Sequence, residues 1–81
     1  MSVERTCWAC DQRGLSPVAK LLLIRLADAS DMDGWISWEL EHTAAWCGVK
    51  VDELGVALGD LVDAGLVSHA EGRFRLAFRE A

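Results

Sequence analysis

One stretch of this chain reads as a helix that is apolar nearly all round. Ser16-Pro17 is a strong helix start. The serine side chain can cap free N–H groups, and proline sits where its missing N–H costs nothing. The stretch from Pro17 to about Ala29 places Val18, Leu22 and Leu26 on one face, and Leu21, Leu23 and Ile24 widen it. A helix this apolar must be covered on more than one side. With 81 residues there is material for one domain and a small core, and none to spare for an elaborate catalytic cleft. The apolar run Leu21 to Ile24 is far too short to span a bilayer.

The segments around this helix predict what covers it. Thr6 to Gln12 fits a short helix stopped at Gly14. Ser30 to Gly34 is a turn by composition, and Trp35-Ile36 reads as a short strand. Ser37 is a plausible cap for a helix from Trp38 to Trp46, with Leu40, Ala44 and Cys47 inward and Gly48 ending it. A further helix spans about Val51 to Ala64, with Leu54, Leu58 and Leu61 as its buried stripe and Gly65 as its stop. After it the period changes. Leu66 to His69 is short and β-compatible, and Glu71-Gly72 is a turn signal. Phe74, Leu76 and Phe78 alternate with Arg73, Arg75, Ala77 and Arg79, the pattern of a half-buried strand with a basic outer face.

Charge is distributed unevenly. The net is −5, but residues 26–72 hold ten acids (Asp28, Asp31, Asp33, Glu39, Glu41, Asp52, Glu53, Asp60, Asp63, Glu71) against one base, Lys50. The two ends are mildly basic. A surface built to wrap nucleic acid normally carries the opposite sign. Three cysteines, an odd number, argue against a disulfide framework. With no basic start followed by an apolar stretch, the expected setting is a reducing cytoplasm.

Particular residues now carry a resemblance. Trp8-Ala9 and Gln12 lead into Leu15-Ser16-Pro17-Val18-Ala19-Lys20-Leu21-Leu22-Leu23-Ile24-Arg25-Leu26-Ala27-Asp28. Asp33-Gly34, Cys47-Gly48-Val49, and Leu54, Ala57-Leu58, Leu61 and Ala64-Gly65-Leu66-Val67 follow in order. Over residues 8 to 70 or so, the chain resembles small winged helix-turn-helix proteins of bacteriophages and other mobile elements. The resemblance implies an α+β, mostly α fold, with three helices, a short N-terminal helix and a small antiparallel β-wing. The order of elements along the chain reads as one domain, 1–81, with an N-terminal arm or short helix (1–14), a helical core (16–65) and a wing hairpin (66–79). The resemblance says less about function, because winged helices bind DNA and proteins alike.

The chain departs from the DNA-binding members where it matters most. Their third helix presents Arg, Lys, Ser, Thr or Gln to phosphates and base edges. Here Val51, Asp52, Glu53, Val56, Gly59, Asp60 and Asp63 take those positions. Glu53, Val56, Asp60 and Asp63 fall three, four and three apart, in one outward stripe. Residues 51–67 contain no Lys or Arg, so the helix gains nothing from counterion release.

Other motifs leave two readings open. Cys7-x-x-Cys10 is half of a zinc knuckle, which Cys47 and His42 would complete, or a redox pair, against the plainer reading of free thiols packed as small hydrophobes. Trp38, His42 and Trp46 form an aromatic stripe suited to a protein interface, or close the edge of a small core. Gly55 and Gly59, each costing roughly 1 kcal/mol against alanine, admit close approach of a partner or close packing within the domain. His42 and His69 have no partnered nucleophile in sequence, and no Gly-rich phosphate loop appears.

The expectation is therefore a non-catalytic module without metal or cofactor. The resemblance to phage-type proteins implies a partner in host or phage nucleic-acid machinery, and the acidic charge a basic one, contacted through Asp52, Glu53, Val56, Asp60 and Asp63 with Trp38, His42 and Trp46. A phage anti-CRISPR or other anti-defence inhibitor, a DNA mimic or an anti-repressor fits this description. Two alternatives stand beside it. One is a DNA-binding regulator or replication accessory protein using Lys50, Arg73, Arg75 and Arg79. The other is a dimerisation module, a homodimer without independent activity.

Overall fold

The computed structural model describes residues 3–78. Along them run α1 (Val3–Asp11), α2 (Pro17–Asp28), α3 (Leu40–Cys47), α4 (Val51–Asp63), β1 (Val67–Ala70) and β2 (Arg73–Leu76). The architecture is α+β and mostly helical, with a two-stranded antiparallel sheet. No helix among the described residues is long and apolar enough to cross a membrane.

α2 begins as its sequence dictates. Ser16 has extended backbone, its Oγ accepts from the Ala19 N–H at 3.2 Å, and Pro17 opens the first turn. Ala19, Leu22, Leu23, Leu26 and Ala27 are wholly buried, and α1, α3 and α4 all pack on this helix. Burial of a leucine contributes about 1.5–3 kcal/mol, so α2 anchors the core. α1 starts earlier than the expected Thr6. It buries Ala9 and sets the Trp8 ring edge-on to Phe78 at 5.8 Å. Lys20 Nζ donates to the Gln12 carbonyl and ties the α1–α2 connection.

Two phase expectations need correction. α3 starts at Leu40 and not at Trp38, and Ser37 does not cap it. Glu39 stands at the cap position in extended backbone, without a side-chain hydrogen bond. The cause is tertiary. Ile36 donates to the Phe74 carbonyl at 2.9 Å and Ser37 to the Ala29 carbonyl at 3.2 Å. Trp38 meets Phe74 edge-on at 5.8 Å, so the chain stays extended through it. The later start exposes Leu40, expected inward, and buries Thr43 beside Ala44. Gly48, at φ +74°, then ends α3 as expected. In α4 the buried row is Leu54, Ala57 and Leu61, while Leu58 is only partly covered.

The hairpin pairs Val67 with Leu76, Ser68 with Arg75, His69 with Phe74 and Ala70 with Arg73. Its loop is Glu71-Gly72, both at positive φ (56° and 73°), which is the type I′ geometry that matches strand twist. Val67 and Leu76 are buried, Phe74 is half-buried, and Arg73 and Arg75 face solvent, as the alternation predicts. Isolated bridges tie Trp35 to Arg75 and Ser30 to Ile36, bringing Trp35-Ile36 alongside β2. Gly34, at φ +87°, permits this: its carbonyl accepts from the Leu76 N–H at 2.7 Å, and a Cβ there would lie 3.1 Å from the Leu76 carbonyl oxygen.

Candidate interaction surfaces

α4 supplies the first surface. Because Leu54, Ala57 and Leu61 point inward, Asp52, Glu53, Val56, Asp60 and Asp63 are all exposed, with Val56 69% accessible. Among the described residues the ion pairs are Arg25–Asp28 at 3.4 Å and His42–Glu39 at 4.0 Å. Neither involves α4, so its carboxylates face solvent without an ion-paired cation from the chain's described part. Glu53 has a local task as well. Its Oε1 accepts from the Lys50 N–H at 3.3 Å, at the start of the helix, where a carboxylate also suits the helix dipole. Lys50 has no acceptor to return, so only half of a capping box exists. A Cβ added at Gly55 or Gly59 would meet nothing within 4 Å. Close packing inside the domain therefore does not account for either glycine. Beside α4 a shallow groove runs to the start of α2, with Val18, Val56 and Ala57 between the carboxylates of Glu53 and Asp60.

The expected aromatic stripe does not form. Trp38 precedes α3 and packs against the core through Phe74, while His42 and Trp46 stay exposed. Trp46 is 52% accessible and lies under the Arg25 guanidinium at 5.4 Å from the ring centre. Cys7 and Cys10 are exposed on α1, and Cys47 is partly covered on α3. No group of three or more His, Cys, Asp or Glu that could hold a metal ion occurs among the described residues. The zinc set Cys7, Cys10, Cys47 and His42 is therefore not assembled. Burial pushes the Cys47 thiol pKa up, and the Arg25 charge opposes this in part.

The sheet supplies the second surface, and sequence reasoning found only part of it. Arg73 and Arg75 project from the same face of β2. Their guanidinium carbons lie 4.7 and 5.4 Å from the centre of the Trp35 ring. Arg75 Nε also donates to the Asp33 carbonyl at 2.8 Å. From sequence Trp35 reads only as part of a short strand, because nothing local links it to residues nearly forty positions away. Lys50 is exposed at the start of α4, and Arg79 lies outside the described residues.

No protein-family model matches the chain, and neither a curated protein nor a solved structure matches it.

Proposed function

We propose that the chain is a small winged helix-turn-helix domain of the bacteriophage type. It acts as a non-catalytic module that docks its acidic α4 on a basic surface of a protein of nucleic-acid machinery. One observation carries the reading: Asp52, Glu53, Asp60 and Asp63 surround exposed Val56 on α4, which on the winged-helix reading is the helix that carries cations in DNA-binding proteins. A phosphodiester backbone is repelled there, whereas a basic DNA or RNA channel is attracted. Inhibition of a nuclease complex, as by an anti-CRISPR protein, or removal of a repressor from its operator would follow from occupying such a channel.

The test uses Asp60→Lys with Asp63→Lys. Glu53 is left intact, since replacing it removes the Lys50 acceptor and costs roughly 0.5–2 kcal/mol of helix stability. The parent, immobilised, should retain a basic nucleic-acid-binding protein from host extract at low salt, identified by mass spectrometry. The double variant should not. Equal retention by both would make α4 a solvated face. The parent should also bind random duplex more weakly than the typical non-specific range of roughly 10⁻⁴–10⁻⁶ M.

A second reading is favoured by the arginines held over Trp35. A regulator gripping DNA through Arg73 and Arg75 would show submicromolar, salt-sensitive duplex binding. The two lysine substitutions would then strengthen binding, and Arg73→Ala would weaken it.

A further inference from the structure

We propose that the Arg73–Trp35–Arg75 ladder is half of a self-association interface whose other half is the carboxylate face of α4 on a second copy of this chain. Ladder and face are each incomplete alone. The Trp35 ring holds both guanidinium groups, and the Asp33 carbonyl fixes Arg75 further, so little side-chain freedom remains to be lost on binding. Yet neither arginine makes an ion pair among the described residues. On α4 the carboxylates are likewise without an ion-paired cation among those residues. Gly55 and Gly59 leave bare backbone along one side of that row, with nothing within 4 Å of an added Cβ.

Charge complementarity selects the occupant. A two-fold pair sets the helix of each copy against the ladder of the other, so both halves are satisfied twice, as isologous symmetry requires. Like surfaces facing each other would repel, and the net charge of −5 opposes any non-specific contact. An exposed ion pair adds at most about fivefold in affinity, so pairing is weak and salt-sensitive. Self-pairing covers the face proposed above to engage a partner, so the two states compete.

The test is sedimentation equilibrium of the full chain at millimolar concentration, in about 20 mM and about 500 mM salt. The parent should form a species of twice the chain mass at low salt and revert to monomer at high salt. Asp60→Arg alone and Arg73→Glu alone should both be monomeric at low salt. Their equimolar mixture should pair again, because each surviving or reversed surface then meets its opposite. Far-UV circular dichroism melts check that both variants fold, and Asp63→Arg replaces Asp60→Arg should the latter unfold. A monomeric parent at low salt overturns the proposal, as does a mixture no more associated than its components. No outside partner enters this test, so its failure leaves the proposed function standing, and the reverse also holds.

Discussion

Leu61 and Leu58 lie three residues apart on α4, and the fold assigns them different weights. Leu61 is wholly buried, whereas Leu58 is only partly covered by the core. Truncating Leu61 to alanine removes three buried carbons, a loss of about 2.4 kcal/mol at about 0.8 per methylene. The cavity left behind adds about another 1 kcal/mol, because α2, which packs on α4 and is itself locked into the core by wholly buried side chains, cannot collapse freely into it. The total is about 3–4 kcal/mol. Leu58→Ala forfeits roughly half the transfer energy and opens no closed cavity, for about 1 kcal/mol. A chain of this size has on the order of 4–12 kcal/mol in all, so Leu61→Ala is severe. Urea unfolding followed by tryptophan fluorescence measures both variants. At about 4–8 °C per kcal/mol, Leu61→Ala should also melt about 12–30 °C below the parent. Equal losses for the two variants would refute the reasoning, since they would mean that α4 is rotated about its axis.

Further predictions concern glycines and thiols. Gly55→Ala and Gly59→Ala meet open space within a helix, so each should stabilise the domain by roughly 0.5–1 kcal/mol in the same unfolding assay, while weakening any association through α4. Gly34→Ala, at φ +87° and against the Leu76 carbonyl, should destabilise by about 1–3 kcal/mol; an unchanged melting temperature would contradict the close approach of that turn to β2. Timed alkylation with mass spectrometry should label exposed Cys7 and Cys10 before Cys47. Because burial raises the Cys47 pKa, its thiolate forms only at higher pH, and its labelling should rise later in a pH series.

Local chemistry was legible in the sequence where neighbouring residues decide the outcome. Ser16-Pro17 started α2, Gly48 stopped α3, and the alternation from Arg73 to Phe78 set which side of β2 is apolar. The exposure of Asp52, Asp60 and Asp63 followed from helical spacing against Leu54 and Leu61. The α+β, mostly α class followed from the order of these elements.

Only tertiary structure decided the rest. α3 begins two residues late because Ile36 and Trp38 are held by Phe74, which lies more than thirty residues on. That shift exposed Leu40, buried Thr43 and dispersed the Trp38–His42–Trp46 stripe. Ala57 and not Leu58 completes the buried row of α4, because the small side chain sits where the helix lies against its neighbours. The stacking of Arg73 and Arg75 on Trp35 joins two segments distant in sequence, which the Trp35–Arg75 bridge and the Gly34–Leu76 and Ile36–Phe74 hydrogen bonds hold together. Periodicity reports which residues share a face of one element. It carries no information on which faces of distant elements meet, and that depends on how the whole core packs around α2.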